Sequence, residues 1–172
     1  MAIALNVVLF QLGWVACILG AAHAMAWVSV VAAGAITAWH LSRATHPRCE
    51  LAFVVVAVLL GLIFETFLVQ AGLVRFETGV LIAGAAPYWM VALWAIFATT
   101  VNVSLRWLRP RLWLAALLGA VGGPPAYYAG ARLGALEFIA AGAALVAIAI
   151  GWAILLPALL AAARRLDASA QT

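Results

Sequence analysis

Between its arginines this chain runs apolar for about 20 residues at a time, and a soluble fold has no way to hide so much hydrocarbon. All nine basic residues are arginines. Seven fall in three clusters: Arg43 and Arg48, then Arg106, Arg109 and Arg111, then Arg164 and Arg165. Arg75 and Arg132 stand apart from them. Only 8% of the 172 residues are charged while 69% are hydrophobic, so too few polar side chains exist to cover a water-facing surface. The formal charge of +4 therefore reads as a topology signal beside apolar spans, and no basic face exists for nucleic acid.

A bilayer core about 30 Å thick takes about 20 helical residues. Breaks at charge, Gly and Pro predict six helical spans at 3–22, 25–42, 51–71, 86–106, 112–131 and 139–163. With the N-terminus in the cytoplasm, the connections Arg43–Glu50 and Trp107–Arg111 and the C-terminal tail lie inside with seven arginines. The turn near His23 and the connections Gly72–Ala85 and Arg132–Phe138 lie outside with two, so the positive-inside bias selects N-in, C-in. Trp27 and Trp39 bracket the second span, and Trp89 and Trp107 the fourth, as interfacial aromatics do. The expected class is all-α and polytopic: one six-helix transmembrane domain over 1–166, with a short polar tail over 167–172. The first apolar run lacks the positive start of a signal peptide and reads as a retained helix.

A weak internal repeat runs through the second half. Leu59-Leu60-Gly61 recurs as Leu117-Leu118-Gly119, Ala71-Gly72 as Ala129-Gly130, and Trp94-Ala95-Ile96 as Trp152-Ala153-Ile154, all at one offset. Duplication of spans three and four as five and six, in parallel orientation, accounts for the pattern. Chance matching in a chain rich in Leu, Ala and Gly accounts for it too.

Polar atoms in hydrocarbon are costly unless paired, so each is either glue between helices or a site. Asn6 and Gln11 in the first span, and Thr99, Asn102 and Arg106 in the fourth, read as polar groups on helix-packing faces. Pro124 and Pro125 follow Gly122-Gly123 in the fifth span, remove two backbone donors and predict a break in that helix beside Tyr127. Glu65 lies about 10 Å inside the outer end of the third span. Its expected partners are Arg75 or Arg132, in an outward-facing pocket shared with Glu77, Glu137, His23 and Tyr127, or else in a structural ion pair. His23, His40 and His46 are too dispersed to ligate a metal, and His40 reads as an interfacial side chain. No nucleophile with its base and no phosphate-cradling loop is visible, and no cofactor is expected.

Three stretches carry a resemblance: Phe10-Gln11-Leu12-Gly13-Trp14 with Cys17, Thr99 through Leu105, and Leu118 through Pro124 with Gly130-Ala131-Arg132-Leu133-Gly134. Together they resemble a family of small, uncharacterised bacterial inner-membrane proteins known only as a domain of unknown function. Members often carry a His after the Asn of the fourth-span motif, where Val103 stands here. Their genes are often found beside cyclopropane-fatty-acid synthases. The resemblance implies a supporting role in membrane lipid modification, and with no catalytic groups visible the leading expectation is a non-enzymatic accessory of lipid modification or envelope homeostasis, with membrane lipids and lipid-modifying enzymes as partners. A small solute or lipid transporter using the polar pocket, and a membrane-embedded lipid-modifying enzyme with Glu65 as acid or base, are the alternatives.

Overall fold

The computed structural model describes residues 2–169. Six α-helices account for most of them: α1 (Ile3–Ala22), α2 (Trp27–Ser42), α3 (Pro47–Gln70), α4 (Tyr88–Val101), α5 (Leu112–Arg132) and α6 (Ala141–Ser169). A two-stranded antiparallel ladder, β1 (Val74–Arg75) with β2 (Glu137–Phe138), pairs Val74 with Phe138 and Arg75 with Glu137. Three helices, α1, α3 and α6 over Ala141–Asp167, are long and apolar enough to cross a membrane. The shorter α2 and α4 are apolar helices of 16 and 14 residues.

The helix ends depart from the sequence expectation where local chemistry intervenes. Pro47 supplies a first-turn residue preset for helix and carries α3 back from the expected Leu51. In α4 the helix stops at Val101, because the N–H groups of Val103 and Leu105 both turn back onto the Thr100 carbonyl. Arg106 therefore sits in a short 3-10 turn, Arg106–Leu108, outside α4. At the other end of the chain, α6 takes in Asp167 and runs to Ser169, so the start of the expected tail is helical and its last residues, 170–172, lie outside the described region.

Pro124 and Pro125 do not break α5, which is continuous from Leu112 to Arg132. The two rings deprive the carbonyls of Ala120 and Val121 of their usual donors. The residues just before them are Gly122 and Gly123, which bring no side chain to crowd that turn.

Both α3 and α5 finish in the same way. A glycine in the left-handed region (Gly72, φ 66°; Gly134, φ 87°) lets the next N–H return to the helix, Leu73 to the Leu68 carbonyl and Ala135 to the Gly130 carbonyl. The chain then enters β1 after α3 and β2 after α5, so the two caps deliver the ladder that joins them.

Packing follows the order α5 on α6, α6 on α3, α3 on α4, with α4 also against α1 and α2. Close approach at two of these seams depends on glycine. A Cβ on Gly61 would stand 2.2 Å from the Trp94 ring, and one on Gly119 would stand 2.2 Å from the Trp152 carbonyl oxygen. A glycine thus meets a tryptophan at equivalent places of the α3–α4 and α5–α6 contacts, at the indole ring in the first and at the backbone in the second.

Large apolar side chains also cover much of the outer helix surface. On α3, Leu51, Val55, Leu59, Ile63 and Phe67 step by four residues along one exposed face, while Phe53, Ala57, Gly61, Phe64 and Leu68 are buried on another. A helix apolar on every side wants hydrocarbon on every side, from protein on one face and from lipid on the other.

Candidate functional site: an apolar cleft with a buried carboxylate

Glu65 is fully buried, projecting from α3 toward α4 and α5. Its Oε1 accepts hydrogen bonds from the Trp94 indole, Nε1 at 3.0 Å, and from the Tyr127 hydroxyl. Three helices are thereby tied at one oxygen atom, and a fourth closes on them: Trp152 of α6 stacks on Trp94 with ring centroids 5.0 Å apart. Phe97 meets both indoles edge-on, which suits the positive ring edge against a negative face. Glu65 Oε2 has no hydrogen-bond partner among the described residues. Trp152 Nε1 is oriented at the Tyr127 hydroxyl, but the geometry does not complete a hydrogen bond.

This cluster forms part of the wall of a cavity of about 530 Å³. The cavity lies between α1 and α5, which make few contacts with each other and approach near Ile18 and Gly130. Phe10, Gln11, Trp14 and Ile18 of α1 face Leu118, Gly122, Ala126 and Ala129 of α5 across it. Leu93, Phe97 and Leu156 form its inner surface. Its volume is in the range of small-molecule sites, and the lining has the same pattern: mostly apolar with few polar atoms. Among the described residues no charged one other than Glu65 borders it.

The residues expected to share a pocket with Glu65 divide. Tyr127 is brought to it. Arg75 is not: its guanidinium pairs with Glu137 across the β1–β2 ladder, with both side chains more than half exposed. Arg132 and Glu77 are exposed, and the His23 ring bonds to the Leu19 carbonyl of its own helix. None of these five lines the cavity. The carboxylate thus takes uncharged donors in place of the expected arginines, since the outward-running side chains from the ladder cannot reach back into the helix bundle.

Of the polar residues expected on packing faces, Asn6, Thr99 and Asn102 are bonded between or within helices, whereas Gln11 and Arg106 are exposed. Asn6 of α1 donates to the Thr99 carbonyl of α4 at 3.1 Å, and the Thr99 hydroxyl donates to the Ile96 carbonyl. Gln11 lies exposed on α1 at the edge of the cavity. Arg106 is exposed. Asn102 belongs to a polar network at the other end of the bundle. It donates to Glu50 Oε1 at 2.7 Å and accepts from Arg109, which also pairs with Asp167 at 2.6 Å. His40, buried and 3.0 Å from Glu50 Oε2, completes the network.

Sequence reasoning missed His40, Glu50, Arg109 and Asp167 as a unit, because the four come from separate parts of the chain. It also missed Trp94 and Trp152. The repeated Trp-Ala-Ile was the available signal, but taken as a mark of duplication it says nothing of where the indoles point. Among the described residues no group of His, Cys, Asp and Glu is arranged to hold a metal ion, and Cys17 and Cys49 are free thiols.

Fold and site together define a mostly helical protein with apolar outer helix faces and a carboxylate sunk in an apolar cleft. The chain belongs to the family described as Protein of unknown function (DUF2878), which matches residues 3–158, nearly its whole length. No curated protein and no solved structure shows significant similarity to it.

Proposed function

We propose that this is a six-span protein of the bacterial inner membrane, with both termini cytoplasmic, that binds one lipid chain in the cleft between α1 and α5. In this role it is an accessory to membrane lipid modification rather than the catalyst. The observation that carries the proposal is the cleft itself: about 530 Å³, walled by aromatic and aliphatic side chains, on a molecule whose outer helix faces are apolar. An opening between two loosely packed helices of such a protein gives onto hydrocarbon, so the ligand it admits is an apolar chain. The seven clustered arginines support the orientation, because their clusters follow α2, precede α5 and end α6, while β1 and β2 lie at the opposite helix ends. The recurrent Gly61–Trp94 and Gly119–Trp152 contacts favour a duplicated helix pair as the source of the architecture.

Photo-crosslinking tests the binding. Purified protein in nanodiscs is exposed to phosphatidylcholine bearing a diazirine in its acyl chain and to the free chain as a hydrocarbon. Labelling of α1 and α5 peptides facing the cleft is expected from at least one probe. Gly122 lines the cavity, and a Cβ built on it meets no atom within 4 Å, so Gly122→Phe places a ring in the cleft with little strain. Loss of labelling in that variant supports the proposal; uniform labelling around the whole molecule, unchanged by Gly122→Phe, overturns it.

A second function rests on the Glu65–Tyr127 pair. A buried carboxyl bonded to a phenol is the equipment of proton transfer to a bound lipid, which keeps a membrane-embedded enzyme in view. Less supports a solute pathway, since Arg75 is committed to Glu137 and Arg132 lies away from the cavity.

A further inference from the structure

Glu65 Oε2 and Trp152 Nε1 are buried, lack completed hydrogen bonds, and belong to side chains that line the cleft. Buried polar atoms without partners cost stability, and native structures rarely keep them without a use. Glu65 Oε1 is already taken by Trp94 and Tyr127, so only Oε2 is left for a newcomer. Trp152 Nε1 can only donate, whereas a carboxyl oxygen accepts when ionised and can donate when protonated.

Building on the chain-binding function proposed above, we infer that the bound lipid is a neutral amphiphile whose polar head is a hydroxyl, seated at Glu65 and Trp152. A hydroxyl has one donor and two acceptor positions. It donates to an ionised Oε2 or accepts from a protonated one, and in both cases its oxygen accepts from the Trp152 N–H. An alkane leaves both protein atoms unpaired. An ether or ester oxygen accepts only. A phosphate head brings a charge, and no Arg, Lys or His borders the cleft to receive it. The chain then runs along the α5 wall, where Leu118 to Ala129 spans about 16 Å at 1.5 Å per residue.

Competition among matched probes tests the head group. Three diazirine probes share one C16 chain: hexadecanol, its methyl ether and hexadecane. The fourth is phosphatidylcholine with the same chain. In the wild-type protein the hexadecanol probe labels the cleft about tenfold more efficiently than hexadecane, the worth of two neutral hydrogen bonds, and the methyl ether falls between them. Trp152→Phe and Glu65→Leu each lower the alcohol-to-alkane ratio by about threefold. Equal labelling by hexadecanol and hexadecane would mean that buried water satisfies the two atoms, and would overturn the inference while leaving chain binding intact. Preference for phosphatidylcholine also overturns it. Failure of all four probes to label the cleft removes the chain-binding function itself. The wild-type ratios decide the question even if a variant does not fold.

Discussion

Trp94 and Trp152 lie face to face with their planes 10° apart, yet only Trp94 completes a hydrogen bond through its indole N–H, to Glu65. The two residues stand at equivalent places in the sequence repeat, and each is backed by a glycine at the same offset. One indole is thus spent on holding the carboxylate, while the N–H of the other is buried without completing a hydrogen bond.

Shaving off the Tyr127 hydroxyl isolates the worth of its bond to Glu65. Tyr127→Phe leaves Oε1 with Trp94 alone and is expected to cost about 1–3 kcal/mol. In a double-mutant cycle with Glu65→Gln the two changes should be non-additive by about 1 kcal/mol, read from thermal or denaturant unfolding in detergent. Strict additivity would mean that the hydroxyl and the carboxyl do not interact.

At the glycine seams the expected effect is steric. Gly61→Ala drives a methyl into the Trp94 ring, 2.2 Å away, and should destabilise the protein by about 1–3 kcal/mol. Gly122→Ala adds the same methyl where no atom lies within 4 Å and should stay within about 0.5 kcal/mol of wild type, or gain slightly from helix propensity. Similar melting temperatures for the two variants would show that the α3–α4 seam is looser than described.

The two ion pairs between distant segments should behave differently. Arg75 and Glu137 are 58% and 55% exposed, so Arg75→Ala should change stability by no more than about 0.5 kcal/mol. Arg109 is only 12% exposed and joins Asn102 to Asp167, so Arg109→Ala should cost about 2–3 kcal/mol and resist rescue by salt. Chemical unfolding at low and high ionic strength separates the cases; equal losses would contradict the difference in burial.

Orientation in the membrane is open to a direct measurement. With Cys17 and Cys49 replaced, a cysteine at the exposed position 77 should react with a membrane-impermeant maleimide added to intact cells. One at the exposed position 111 should react only after permeabilisation. The opposite result inverts the proposed topology.

The apolar class and the helix count were legible because they depend on periodicity and run length. Arginine clusters and prolines also placed most helix ends to within a few residues. The departures came from local chemistry that competes with those signals, at α4 and α5 above all. The Thr100 carbonyl gathers two N–H groups and ends α4 early, and α5 carries Pro124 and Pro125 without interruption.

Glu65 was singled out by its chemistry alone, as a carboxylate in a run of Val, Leu and Phe with few innocent explanations. Its partners were not. Arg75 and Arg132 were the natural choice by charge, but the caps at Gly72 and Gly134 turn the chain into the ladder, and Arg75 spends its charge on Glu137 there. Trp94 and Tyr127 take the carboxylate instead, because helix packing sets them against it across separations of 29 and 62 residues.

By itself, the sequence determined that these helices are apolar all round and where the chain breaks between them, since both follow from side-chain composition over a local window. Only the tertiary structure decided that α1 and α5 make few contacts, that the space between them forms a cleft, and that Glu65 meets an indole and a phenol at its wall. Those features depend on which helix faces meet, and in a chain whose faces are nearly all apolar, no hydropathy pattern distinguishes one face from another. Shape does, through a glycine set against a tryptophan, and shape is a property of the packed molecule.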